Sequence, residues 1–218
     1  MVSTLVHLAL GGLVGAALLD RLTPRRLAVV LAATAVPDLD TFLGLAIDGG
    51  HRALLHTALL PLAAAAVLAY DLRRGWLRER FGAGAPRVAW AALAATAFAG
   101  IAPDLFTNGV NVLYPLHDQF YKINGRLLLS NQRGVVQTFV DLSPPDPAGG
   151  GGGGAESGAI GSTDEVHYKT GVDPGKGSEP ANVERTFYVL QSGRDLMTVL
   201  VGTAVVGARL RLDRGAGD

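Results

Sequence analysis

Histidine and aspartate recur inside the apolar part of this chain, where an apolar segment has no packing use for them: His7, Asp38, Asp40, His51, His56 and Asp104. Imidazole nitrogen with carboxylate oxygen is a ligand set that suits zinc, and manganese or iron in a more open site. The chemistry such a set supports is hydrolysis, because a bound divalent cation lowers the pKa of water toward about 7. All six residues are expected metal ligands, and zinc is the first choice of metal. Asp40 is also a candidate to orient a histidine or to act as general base. Arg52 and Arg194 are candidates to hold a substrate anion, and Arg52 joins Asp40 as an expected catalytic residue.

Spacing sets conditions on their convergence. His51 and His56 do not share a helical face; they meet if His51 stands in a loop and His56 in the first turns of a helix. Asp38 and Asp40 point the same way only if the backbone after Pro37 is extended. Pro37 and Pro103 each remove a helical N–H, and each is followed by an aspartate, in Pro37-Asp38-Leu39-Asp40-Thr41 and Pro103-Asp104-Leu105-Phe106-Thr107. Broken backbone at membrane depth is tolerated where it lines a cavity. Taken singly, His7 also reads as a helix-packing hydrogen bonder, Asp40 and Asp104 as N-caps, and Arg194–Asp195 as a local pair at a helix start. His117 and His167 read as surface residues. Together the acids and histidines point to a metal site, since unpaired ionisable groups in lipid are costly.

The elements that must position them are apolar. The chain has 218 residues, 49% of them hydrophobic, and a mean hydropathy of +0.29. Only 17% are charged, against about 25% in soluble chains. A net charge of zero argues against an electrostatic nucleic-acid binder. The absence of Cys excludes a disulfide framework and a thiolate zinc site. Apolar stretches run over about Thr4–Leu19, Leu27–Ile47, Ala53–Tyr70, Val88–Phe106 and Leu196–Leu210. A span needs about 20 residues, so the first and last must borrow flanking ones. The first lacks a basic n-region and a cleavage site and is read as retained.

The expected fold is therefore all-α: a polytopic membrane protein with about five transmembrane helices and a partly irregular extracytoplasmic segment between the fourth and fifth. Residues 1–106 form a four-helix membrane core with the metal site. Residues 107–190 form the outer segment, with a disordered Gly-rich insert at 143–161 and a short strand near Val135–Val140. Residues 191–218 form the fifth helix and a cytoplasmic tail. Five crossings put Arg21, Arg25 and Arg26, then Arg73, Arg74, Arg78, Arg80 and Arg87, then Arg209, Arg211 and Arg214 on one side. The positive-inside rule makes that side cytoplasmic and leaves the N-terminus and the long loop outside. At 1.5 Å per residue, Asp38 lies roughly 18 Å, His7 roughly 20 Å, and His56 and Asp104 roughly 25 Å from it. All then sit in the outer half of a hydrocarbon core about 30 Å thick.

At these residues the chain resembles the family of membrane-bound, predicted metal-dependent hydrolases that includes a LexA-binding inner-membrane protein. The shared pattern is His7 with Gly11-Gly12, Pro37-Asp38-Leu39-Asp40, His51-Arg52 with His56-Thr57, and Asp104 with Gly109, Leu113 and Pro115, over about Leu5–Asp118. That family is distantly similar to zinc-dependent phospholipase C and P1-type nucleases. The resemblance implies hydrolysis of a phosphoester or related ester, with membrane lipids and a phosphoester substrate as partners. Three departures stand out. Many members carry a further His one turn before the fourth-stretch Asp, where this chain has Gly100. His51 and His56 are one residue further apart than in some relatives. The run Gly149–Gly154 has no counterpart.

The expected activity is hydrolysis of an extracytoplasmic or lipid-head-group phosphoester. The alternative is a non-catalytic membrane protein that binds a partner through its outer segment. A transporter is disfavoured, because no polar residues continue a path through the cytoplasmic halves.

Overall fold

Small residues decide how the helices meet. The computed structural model describes residues 2–47, 49–139, 157–175 and 182–215. Helix α1 (Thr4–Leu18) starts at Ser3, whose hydroxyl accepts from the Val6 N–H, and buries Gly11, Gly12 and Gly15. A Cβ on Gly11 would stand 2.3 Å from Thr34 Oγ1 of α2 (Pro24–Ala35). A Cβ on Gly12 would stand 2.9 Å from Val206 of α8 (Gly193–Gly215). Glycine lets the three backbones approach this closely. Helix α6 (Ala85–Ala95) completes the group, with Ala91, Ala92 and Ala95 buried against Ala16, Leu19, Leu22 and Val30.

Two prolines interrupt the helices on one side of this core. Helix α2 stops at Ala35, and the chain passes through a 3-10 turn, Pro37–Leu39, into the single turn α3 (Asp40–Leu43). A run of turns carries it to α4 (Leu59–Arg74) and, past a left-handed Gly75, to α5 (Trp76–Phe81). Helix α6 continues through a π-helical segment, Thr96–Ile101, into α7 (Ala102–Leu105). Pro103 has no N–H to offer the Ala99 carbonyl four residues back. A side chain on α1 uses that carbonyl instead, as described below.

The expectation of five transmembrane helices in an all-α chain is overturned. Among the described residues one helix, Ala85–Leu105, is long and apolar enough to cross a membrane. The apolar stretches fall short for separate reasons. Helix α1 has 15 residues. Helix α2 has 12, because Pro37 ends it early. Helix α4 has 16 and takes in Asp71, Arg73 and Arg74. Helix α8 has 23 residues but is charged at both ends, by Arg194 and Asp195 and by Arg209, Arg211, Asp213 and Arg214. Large apolar side chains nevertheless stand outward, among them Leu62, Val67, Phe98 and Leu200, all more than half exposed.

The outer segment, expected to be partly irregular with one short strand, carries two small antiparallel sheets, so the chain is not all-α. Strand β1 (Phe120–Lys122) pairs antiparallel with β4 (Gly158–Gly161), and β2 (Leu127–Ser130) pairs with β3 (Gly134–Gln137). Strand β3 overlaps the strand expected near Val135–Val140, of which Val140 lies outside the described residues. Strand β4 lies within the stretch 143–161 expected to be disordered; the rest of that stretch up to residue 156 lies outside them. The two ends of the undescribed piece are tied to one place. Thr138 and Arg126 exchange hydrogen bonds at 3.0 Å, and the Ser157 hydroxyl bonds the backbone of Asn124.

The two ends of α1 differ in chemistry. At its C-terminus, arginines cap carbonyls that have no helical partner. Arg87 donates to the Leu18 carbonyl at 2.7 Å, and Arg209 donates to the Leu19 and Asp20 carbonyls. Asp213 accepts from the Leu22 N–H at 2.6 Å and from Arg209. The acids and histidines gather at the other end.

Candidate metal centre

Each histidine of the cluster spends one nitrogen on its surroundings and keeps the other free. His7, on α1, donates from Nδ1 at 2.6 Å to the Ala99 carbonyl, to which Pro103 cannot donate. His56 donates from Nδ1 to Asp40 Oδ2 at 2.8 Å. His51 shares its Nδ1 proton between Asp40 Oδ1 at 2.9 Å and Thr41 Oγ1 at 3.0 Å. These acceptors assign the proton to Nδ1 in all three rings. The three Nε2 atoms are buried and have no hydrogen-bond partner.

Two carboxylates face two of those free nitrogens. His7 Nε2 is 3.7 Å from Asp104 Oδ2 and 3.8 Å from Asp38 Oδ1. His56 Nε2 is 3.3 Å from Asp104 Oδ2 and 3.9 Å from Asp38 Oδ1. Ligand atoms of His7, Asp38 and Asp104 all lie within 4.8 Å of one another. A protonated imidazole donating to a carboxylate would sit at about 2.7–2.9 Å. Two atoms that each bind a tetrahedral zinc at about 2.0–2.1 Å stand about 3.4 Å apart. The separations match shared coordination better than direct hydrogen bonding, so the donor set fits a divalent cation.

Asp40 and Arg52 stand behind the ligands. Asp40 is fully buried, and both its oxygens are occupied, by the two Nδ1 atoms and by the Arg52 N–H at 2.9 Å. It therefore orients His51 and His56, and its oxygens do not face the Nε2 cluster as the expected ligand would. Arg52 is 1% exposed and holds a left-handed backbone, φ 63°. It donates from Nη2 to Asp104 Oδ1 at 2.7 Å. The ring of Tyr168 lies 4.7 Å over its guanidinium and meets His51 edge-on. Burial pushes the Tyr168 phenol up to about 12, against the opposing pull of Arg52, so it stays a donor to the Asn108 and Gly109 carbonyls.

A cavity of about 360 Å³ opens beside this cluster and is lined by Asp38, Thr41, His51, Arg52 and Asp104. The structure thus brings His7, Asp38, Asp40, His51, Arg52, His56 and Asp104 together. Arg194 is exposed at the start of α8, away from the cavity lining. Its neighbour Asp195 caps locally, accepting from the Gln191 N–H. His117 is exposed as expected, whereas His167 is half-buried beside Asp173.

Two conditions read from the spacing turn out differently. The backbone after Pro37 is a 3-10 turn rather than extended, so Asp38 and Asp40 diverge. Both still serve the site, because the His56 ring lies between them. His56 itself sits in the turns before α4, not inside the helix. Thr41 and Tyr168 were missed as contributors; Thr41 follows the Pro37 motif directly, but Tyr168 lies beyond the insert and no pattern announces it. At Gly100 a Cβ would stand 2.8 Å from the Thr34 carbonyl oxygen and 3.2 Å from Pro37, so a histidine has no room there.

These features define a small helical protein with interrupted helices around a buried histidine–aspartate cluster. Residues 1–156 match the model of the YdjM inner membrane protein family, and the chain belongs to that family. Its place is accordingly a membrane. The match covers every residue of the cluster but not Tyr168 or α8. No curated protein and no solved structure matches.

Proposed function

We propose that this protein is a membrane-embedded metal-dependent hydrolase acting on an extracytoplasmic or lipid-head-group phosphoester. One observation carries the reading: three buried histidines have their Nδ1 atoms hydrogen-bonded and their Nε2 atoms unpartnered, and two of those Nε2 atoms face two carboxylates at ligand-to-ligand spacing. His7, Asp38, His56 and Asp104 would hold the metal, with zinc first and manganese or iron as alternatives. Such a cation supplies an activated water at neutral pH. Asp40 keeps His51 and His56 in the tautomer with Nε2 free. His51, at the cavity wall, can take or return a proton at Nε2. Arg52 holds Asp104 in place. The one helix long and apolar enough to cross among the described residues, Ala85–Leu105, has Arg78, Arg80 and Arg87 at its start and Asp104 at its end; the positive-inside rule then favours a cavity that opens outward, where head groups are within reach.

Metal content of the detergent-purified chain tests this, wild type beside Asp38→Ala and His56→Ala. Near-stoichiometric metal that both substitutions abolish is expected, followed by turnover of phosphoester substrates. A wild type that takes up no zinc or manganese overturns it. A second reading, partner binding without catalysis, draws support from the hairpin β2–β3, where Leu127, Leu129 and Val135 are all more than two-thirds exposed. It requires no metal.

A further inference from the structure

Buried charge must be paired, and the side chains of this cluster do not balance one another. Asp40 and Asp104 are essentially inaccessible, and Asp38 is largely enclosed. Against these three carboxylates stands one guanidinium, that of Arg52, also inaccessible. With the imidazoles neutral, two negative charges remain, which is the charge of one divalent cation.

Asp104 shows how the two positive charges would be arranged. Its Oδ2 faces the free Nε2 atoms of His7 and His56. Its Oδ1 accepts from Arg52 at 2.7 Å. One carboxylate is thus shared between the metal pocket and a fixed cation, the way a bridging carboxylate is shared between two metals. Arg52 is held by its backbone and under a ring, while its Nε and Nη1 have no hydrogen-bond partner. Its N–H goes to Asp40, its carbonyl accepts from the Asn111 N–H at 2.9 Å, and Tyr168 covers its guanidinium. Ligands for a second ion are few: Asp104 Oδ1, once Arg52 is gone, and His51 Nε2. Gly100 leaves no space for a histidine, and His51 Nε2 is the one free histidine nitrogen of the cluster without a carboxylate oxygen beside it at ligand spacing among the described residues.

We propose that Arg52 takes the place of a second metal ion: the site holds one divalent cation, and the guanidinium across Asp104 supplies the remaining positive charge. This rests on the metal-site reading above.

The test is metal stoichiometry of the full chain, stripped with EDTA, reloaded with excess zinc or manganese, and freed of unbound ion. The wild type should hold one equivalent per chain. Two equivalents, both lost in His56→Ala, overturn the proposal while leaving the hydrolase reading intact; no metal at all overturns the hydrolase reading itself. Arg52→Lys should keep one equivalent. Arg52→Gln should gain a second, weaker equivalent, which a purely structural role for Arg52 would not produce. A folded Arg52→Gln that still holds only one overturns the assignment. If Arg52→Gln fails to fold, the wild-type count and Arg52→Lys decide: one equivalent in each supports the proposal, and two in either overturns it.

Discussion

His56 donates from Nδ1 to Asp40, and that single bond determines which ring nitrogen is left for a metal. Asp40 does the same for His51 from its other oxygen. Losing such an orienting carboxylate typically costs about 10–100-fold in metal affinity. Asp40→Asn, which can offer one acceptor where Asp40 offers two, should weaken zinc binding by about that much without touching a ligand. Competition against a chelating dye measures it; unchanged affinity would mean the histidines are oriented by something else.

Gly100 lies in the π-helical segment against Pro37 and the Thr34 carbonyl. Even a methyl group there overpacks the contact. Gly100→Ala should destabilise the detergent-solubilised protein by about 1–3 kcal/mol, seen as a lower melting temperature. Gly100→His should be worse and should not raise metal content.

Tyr168 gives a pH dependence on the alkaline side. Its folded pKa is raised to about 12, chiefly by burial, from an ordinary value of 10.0. The folded state therefore holds the proton more tightly than the unfolded state. Stability is intact below pH 10 and falls as the pH rises from there toward 12. Melting curves at pH 9 and 11 should show a smaller loss in Tyr168→Phe than in the wild type.

Asp213 acts in the opposite sense. The Leu22 N–H, and then the Arg209 guanidinium, hold its carboxyl below the usual range. Its contribution is present above the unfolded value and disappears as the pH falls through the folded one. Asp213→Asn should melt below the wild type at pH 7, with the difference closing under acid conditions. A constant difference would show that the carboxylate's charge is not what matters.

The identity of the clustered residues was legible because acids and histidines have few other reasons to occupy Ala- and Leu-rich stretches. Their geometry was less so. Pro37 signalled a break, but a break can be extended or tight, and the tight form sends Asp38 and Asp40 to opposite faces of His56. Hydropathy marked five apolar stretches, yet it cannot see that Pro37 stops α2 early or that charges trim α8 at both ends. Tyr168 was invisible for a different reason. It reaches Arg52 through pairing of β4 with β1, and strand partners distant along the chain leave no local pattern.

Ser157 meets Asn124 beside the pairing of Thr138 with Arg126, so residues 138 and 157 stand at neighbouring points of the chain around Gly125. Lengthening a closed excursion costs little, roughly 0.6 kcal/mol per doubling. An epitope or a small fluorescent reporter spliced between residues 138 and 157 should therefore leave the histidine cluster undisturbed and reveal, in intact cells, which side of the membrane the cavity faces.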